Sequence, residues 1–126
     1  MQFKRAHTGL LALAFTLSAG AVQAGDFADG FVAAEQGDYQ KAASEWKSLA
    51  EHGNAQAQFN MALLYHSGAA GKIDEAKAVQ LYRRAAENGY PQAQEYMVVG
   101  YREGWFGLKK DAKKAQYWEQ RLYGEN

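Results

Sequence analysis

The sequence predicts an all-α domain, a short solenoid of three antiparallel helix pairs. Gln56-Ala57-Gln58 recurs 36 residues later as Gln92-Ala93-Gln94, which is the mark of a repeat architecture. Helix start and stop signals flank each copy, and no segment alternates apolar and polar residues as a strand would. The 126 residues include 13 glycines but one proline, so turns use glycine and few helices are interrupted.

The repeat extends well beyond the glutamines. Residues matched at an offset of 36 include Trp46 with Tyr82, Gly53 with Gly89, Tyr65 with Tyr101, Gly68 with Gly104 and Gly71 with Gly107. After Gly107 the offset becomes 37, since Lys77-Ala78 corresponds to Lys114-Ala115. The last unit therefore has one inserted residue in the connection before Asp111.

Capping residues place the six helices along the chain. Asn54, Asp74 and Asp111 are of the type that accepts a hydrogen bond from the first turn of a helix. Pro91 suits a first helical position, and Gly68 suits a helix end. The predicted helices cover residues 27–36, 38–52, 54–67, 74–88, 91–102 and 111–123.

The N-terminal segment has the pattern of a secretory signal peptide. Lys4 and Arg5 precede an apolar run, and Val22-Gln23-Ala24 predicts cleavage after Ala24. The run is roughly a dozen residues, short for a bilayer span of about 20, although an uncleaved anchor is the alternative. We expect a signal peptide at 1–24 and a repeat domain at 25–126, divided into a leading partial unit (25–53) and two units (54–89 and 90–126).

Cleavage and the lack of cysteine predict the compartment. The whole chain carries 14 basic and 14 acidic residues, and removing Lys4 and Arg5 leaves a slight acidic excess. With no cysteine there is no disulfide, although an exported protein could form one. We expect a periplasmic or secreted bacterial protein with no stable membrane span after cleavage.

Composition and motifs argue against several function classes. Balanced charge is atypical of a nucleic-acid binder, and the four lysines at 109, 110, 113 and 114 fit a solvated helix start better than a polyanion site. The absence of cysteine excludes a thiol nucleophile and Cys-ligated zinc. His52 and His66 each fall near a predicted helix end, where a capping or partly exposed histidine is ordinary. We therefore predict no catalytic, metal-binding or cofactor-binding residue and no enzyme activity.

Several motifs resemble the Sel-one-like (Sel1-like) repeat, a relative of the tetratricopeptide repeat. They are Ala57-Gln58, Met61-Ala62, Tyr65-x-x-Gly68, Asp74-x-x-Lys77-Ala78, Leu81-Tyr82 and Ala85-Ala86-Glu87, with partial copies at Ala93-Gln94, Tyr101-x-x-Gly104 and Asp111-x-x-Lys114-Ala115. The resemblance covers almost all of residues 25–126 and implies a right-handed solenoid that binds proteins. Val98 departs from the small residue at Ala62, and Arg121-Leu122-Tyr123 replaces Arg84-Ala85-Ala86.

By similarity to tetratricopeptide geometry, the first helix of each pair lines a concave groove. A groove that mixes apolar, amide and charged groups suits a protein or peptide partner. An alternative is that Phe59 and Leu63 pack inside the superhelix instead. The groove residues expected to be exposed are Phe31, Glu35, Gln56, Phe59, Leu63, His66, Gln92, Glu95, Val99 and Arg102.

Trp105-Phe106 is a separate candidate, because two large aromatics occupy the turn where the preceding unit has Ala69-Ala70. They anchor a partner, or they fold back to cover the end of the array, and we prefer the second interpretation. The aromatic residues of the last helix also either cover the end of the array or contact a partner. If their face is open, we expect it to bind a second copy of the chain, as a homodimer, or another partner.

The predicted function is an exported adaptor or scaffold that binds a protein partner. A self-associating structural or regulatory repeat protein is the alternative, and a cell-wall enzyme is the third choice.

Overall fold

The computed structural model describes residues 24–124, which fold into six α-helices without any strand in that range. Residues 1–23 of the predicted signal peptide lie outside the described residues. Within 24–124, no helix is long and apolar enough to cross a membrane. The helices are α1 (Ala24–Glu35), α2 (Tyr39–Glu51), α3 (Ala55–Ser67), α4 (Glu75–Glu87), α5 (Pro91–Glu103) and α6 (Ala112–Tyr123).

Each helix packs against the next one along the chain. The pairs α1–α2, α3–α4 and α5–α6 form three hairpins, and the contacts α2–α3 and α4–α5 join one hairpin to the next. One hairpin alone would expose an apolar face, so stacking buries it. This arrangement confirms the predicted all-α solenoid of three helix pairs.

The predicted capping residues start their helices. The side chains of Asn54, Asp74 and Asp111 accept hydrogen bonds from the backbone N–H three residues later, at 2.8, 2.9 and 3.1 Å. Asp38 does the same for α2 at 3.1 Å, although Pro91 at the start of α5 follows an N-cap, Tyr90, that makes no side-chain cap bond. These local bonds satisfy backbone donors that a helix leaves unpaired, and so they set where the helices begin.

The repeated glutamines join one hairpin to the next. Gln58 Nε2 donates to the Ala50 carbonyl at 2.9 Å, and Gln94 Nε2 donates to the Ala86 carbonyl at 3.0 Å. Both glutamines are buried, and both acceptors lie in the last turn of the preceding helix. The glutamine therefore recurs because it satisfies a helix-terminal carbonyl at each junction between hairpins.

Residue size is matched between the two helices of the first pair. A Cβ at Gly30 would lie 2.3 Å from Trp46 Nε1, so only glycine fits beneath this indole. Trp46 is fully buried, and its Nε1 donates to the Phe27 carbonyl at 3.0 Å. In α6 the residue at the same distance from the N-cap is Glu119, which is smaller than Trp46. In the third pair, Val98 is buried.

Candidate functional site

Helix α3 is buried on nearly all sides, which overturns part of the predicted groove. Phe59, Leu63 and His66 are only 4 %, 9 % and 8 % exposed, so the expectation that they line an open surface is wrong. The reason lies in the next unit. The ring centroid of Phe59 lies 5.1 Å from that of Tyr90 and 5.5 Å from that of Tyr96. The alternative, that Phe59 packs within the superhelix, is correct.

Phe106 folds back onto the same rings. Together they form an aromatic cluster of Phe59, His66, Tyr82, Tyr90, Tyr96 and Phe106. The Phe106 ring stacks on Tyr96 at 5.6 Å and meets His66 edge-to-face at 4.9 Å. Tyr96 in turn stacks on Tyr82 at 4.6 Å. The preferred interpretation is therefore right in that Phe106 folds back. It covers the junction of α3, α4 and α5, however, and not the end of the array at α6.

The backbone at Phe106 is held in an uncommon conformation. Its φ of +58° is the one positive value at a non-glycine residue among residues 24–124. A left-handed conformation costs an L-residue roughly 1–2 kcal/mol. The ring contacts offset that cost, so the turn is shaped to deliver the Phe106 side chain to the cluster.

The tyrosines of the aromatic cluster are kept neutral. Burial raises the pKa of Tyr82 well above its ordinary value, and Tyr96 raises it further. Burial also raises the pKa of Tyr96 and of Tyr90. The Tyr82 hydroxyl lies 3.1 Å from His66 Nδ1, within hydrogen-bond distance. His66 is thus a buried core histidine, and the expectation of a capping or partly exposed role is wrong for it.

An open cleft adjoins the aromatic cluster. The aromatic cleft has a volume of about 200 Å³ and is lined by Glu95, Tyr96, Val99, Trp105 and Phe106. The Trp105 and Phe106 rings meet nearly at right angles, at 82° and 6.1 Å between centroids. Glu95 is exposed, and the other four residues are half-buried. The cleft therefore places three aromatic residues beside the exposed carboxylate of Glu95.

The aromatic cleft joins two predictions that the sequence had kept apart. It combines Glu95 and Val99 from the predicted groove with Trp105 and Phe106 from the predicted turn. Sequence reasoning missed Tyr96. The repeat itself carries a signal for it, because Tyr96 replaces the fully buried Asn60 of the preceding unit.

The remaining predicted groove residues lie outside the aromatic cleft. Arg102 is exposed and forms an ion pair with Glu119 of α6, so it bridges the two helices of its own pair. Gln92 at the start of α5 is exposed, whereas Phe31 of α1 and Gln56 of α3 are half-buried. Glu35 at the end of α1 is exposed as well.

A second groove, which sequence reasoning also missed, lies beside the turn between α3 and α4. Its volume is about 680 Å³. Ile73 is 60 % exposed at its rim, an unusual position for a large apolar residue. The lining residues are Ala43, Met61, Leu64, Tyr65, Ala70, Lys72, Ile73, Asp74 and Glu75.

Neither depression has a metal-binding set among its described residues. Among the described residues, no group of three or more His, Cys, Asp or Glu side chains is placed to hold an ion. His52 Nδ1 lies 2.7 Å from the Ser48 carbonyl, which is the helix-end role predicted for this histidine. The described residues of the aromatic cleft therefore provide apolar and aromatic side chains and one negative charge, that of Glu95.

Comparison with known proteins bears on the fold. No protein-family model matches the chain, and no curated protein matches it. The chain is similar to the crystal structure of a Sel1 repeat protein from Oxalobacter formigenes, with a TM-score of 0.66 and 27% sequence identity. The likeness covers 90% of this chain and 98% of that one. The repeat pattern, the six helices and this likeness together identify the chain as a Sel1-like repeat solenoid.

Proposed function

We propose that the protein is an exported adaptor or scaffold that binds a protein partner through the aromatic cleft. A Sel1 repeat fold is typical of protein–protein interaction modules. The observation that carries the proposal is the pairing of Trp105 and Phe106 beside an open cleft. Large aromatics seated in pockets supply much of the binding energy at protein interfaces.

Export is part of the proposal and rests on the signal pattern at residues 1–24. Cell fractionation and N-terminal sequencing test it. We expect the chain in the periplasm or medium with Gly25 as its first residue. A cytoplasmic chain that retains Met1 would refute export and leave the binding proposal standing.

Site-specific photocrosslinking tests the binding surface. A photoreactive amino acid replaces Val99, which lines the aromatic cleft, or Gln80, which is exposed on α4 and outside it. We expect a crosslinked partner from position 99 that is absent from position 80 and weakened by Trp105→Ala. Equal crosslinking from both positions, or none from position 99, would count against the aromatic cleft.

Self-association is the second candidate, because α6 exposes two tyrosines. Tyr117 and Tyr123 are 49 % and 73 % exposed. Sedimentation equilibrium separates the candidates. A dimer that Tyr117→Ser and Tyr123→Ser convert to a monomer would favour self-association, and a monomer at all concentrations would favour the adaptor.

We further propose that the protein acts without catalysis, a cofactor or nucleic acid. The support is the chemistry of the aromatic cleft, where Glu95 and the Tyr96 phenol are the ionisable side chains among the described lining residues. Burial raises the pKa of Tyr96, so this phenol stays protonated and is a poor general base at neutral pH.

A further inference from the structure

The sulfur of this chain is held by methionine alone. The sequence has no cysteine and three methionines, Met1, Met61 and Met97. Met1 lies outside the described residues. Met61 and Met97 are 36 residues apart and therefore hold the same position in consecutive units, on α3 and on α5. They form a matched pair in which only the surroundings differ.

The two methionines differ in their access to solvent. Met61 lines the groove beside the turn between α3 and α4 and is 8 % exposed, whereas Met97 is 1 % exposed. The groove has a volume of about 680 Å³, and a water molecule takes about 30 Å³. Hydrogen peroxide, which is little larger than water, therefore has room to approach Met61.

The turn that follows each helix accounts for this difference. Gly100 lies one helical turn after Met97, and the side chains of Leu108 and Phe106 fill the space beside it. The corresponding turn of the preceding unit leaves its groove open, with Ala70 among the lining residues. A small oxidant thus has a path to the sulfur of one unit that the packing of the other unit closes.

We propose that Met61 is an oxidation site and that its sulfoxide loosens the contact between the first two hairpins. The thioether sulfur takes one oxygen atom from hydrogen peroxide. The O–O bond breaks, an S–O bond forms, and the proton on the transferred oxygen passes to the departing hydroxide, which leaves as water. The sulfur loses two electrons and the peroxide gains them.

The position of Met61 gives the sulfoxide its effect. The groove is also lined by Ala43 of α2 and Leu64 of α3, two apolar side chains from adjacent hairpins. A sulfoxide is polar, and neither of these neighbours donates a hydrogen bond to its oxygen. The change is reversible, because a dithiol reduces the sulfoxide to the thioether and forms a disulfide and water.

Peroxide treatment of the purified full chain tests the proposal. Digestion and mass spectrometry follow each methionine separately, and the same treatment in urea gives the rates of the unfolded chain. In the folded chain we expect Met61 to be oxidised about tenfold faster than Met97, with equal rates in urea. The thermal midpoint of the oxidised chain should fall by about 5 °C and recover after reduction by methionine sulfoxide reductase.

Leucine variants provide matched controls, because exchange of methionine for leucine conserves volume and costs little. Met61→Leu should keep its thermal midpoint after peroxide treatment. Met97→Leu should lose about as much as the natural chain does, since it retains the accessible sulfur.

Three results would overturn the assignment. They are equal oxidation rates of Met61 and Met97 in the folded chain, a thermal midpoint that complete oxidation of Met61 leaves unchanged, and a peroxide effect of the same size in Met61→Leu. The crosslinking experiment at position 99 uses the chain without peroxide, so the adaptor proposal and this one can fail separately.

Discussion

The turns that join the helices of the second and third pairs close alike but hold different side chains. In the second-unit turn (68–74) the Asp74 N–H donates to the Tyr65 carbonyl at 2.9 Å. In the third-unit turn (104–111) the Asp111 N–H donates to the Tyr101 carbonyl at 2.8 Å. A lysine of the following helix also lies over each of these tyrosine rings, at 6.0 and 5.3 Å. The closing bonds therefore do not depend on what the turn contains.

The contents of the two turns differ because the helix beneath them differs. The second unit has the buried Leu64 where the third unit has Gly100. A Cβ at Gly100 would lie 2.8 Å from Leu108 Cδ1 and 3.2 Å from Phe106 Cδ2. The space that glycine leaves is thus filled by the third-unit turn, whereas the second-unit turn leaves an open groove. The comparison teaches that one glycine decides whether a turn packs onto its helix.

Converting the third-unit turn to the composition of the second-unit turn should have the largest effect on the free energy of unfolding. Trp105→Ala with Phe106→Ala removes the ring contacts with His66 and Tyr96. Because both residues are half-buried, we expect a loss of about 2–4 kcal/mol in the free energy of unfolding, measured by urea titration.

The control for this conversion lies in the second-unit turn. Ile73→Ala removes an apolar side chain that is 60 % exposed, and it should cost less than about 1 kcal/mol. Equal costs in the two turns, or a gain in stability from the alanine pair, would show that Trp105 and Phe106 do not stabilise the fold.

The next largest effect on stability is expected from replacing Gly100 of the third unit by leucine, the residue that the second unit has at position 64. Gly100→Leu forces Leu108 and Phe106 from their places, and overpacking of this kind costs about 1–3 kcal/mol. Adding Leu108→Ala to it should recover more than half of that loss. Strict additivity in this double-mutant cycle, followed by thermal unfolding, would mean that the two residues do not share one space.

Removing the N-caps should affect both turns equally. Asp74→Ala and Asp111→Ala each lose one side-chain bond to a backbone N–H and should each cost about 1 kcal/mol in urea titration. The Asp→Asn variants keep an accepting oxygen and should retain most of the stability. A difference greater than about 1 kcal/mol between the two alanine variants would contradict the equivalence of the turns.

The smallest effect is a dependence on alkaline pH that distinguishes Tyr96 from its counterpart Asn60. Burial raises the pKa of Tyr96 in the folded chain above the value of about 10 that it has when unfolded. Its contribution to stability is therefore complete below about pH 10 and is lost as the pH rises through the folded-state pKa. The thermal midpoint should therefore fall as the pH is raised above about 10, with no contribution from Tyr96 to its change well below that pH.

Substitution tests whether Tyr96 causes this fall in the thermal midpoint. Tyr96→Phe should flatten the decline, whereas Tyr123→Phe, at a residue that is 73 % exposed, should leave the slope unchanged. The same slope in both variants would assign the alkaline loss to other groups.

The helices were predictable because their boundaries depend on nearby residues. Asn54, Asp74 and Asp111 act through bonds that span three residues, and Gly68 and Gly104 end α3 and α5 in the left-handed conformation. Such effects are written in short stretches of sequence. The 36-residue period then implied stacked pairs, since one pair cannot bury its apolar face alone.

The candidate site was predictable only in part. Glu95, Val99, Trp105 and Phe106 were singled out from the sequence, but as members of two separate surfaces. Their meeting depends on the turn that folds back over α5, which periodicity does not describe. Phe59 was misplaced because its burial depends on tyrosines that lie 31 and 37 residues further along the chain, Tyr90 and Tyr96.

The amino-acid sequence by itself thus determined the helix order, the caps and the repeat, because each follows from interactions over a few residues or from a period along one chain. The tertiary structure alone decided which aromatic residues are buried together and which line a cleft. Gly100 leaves a space that Phe106 and Leu108 occupy, and the Phe106 ring also packs against His66 of α3 and Tyr82 of α4. Burial is a property of the packed neighbours, and it becomes defined when helices that are distant in sequence meet.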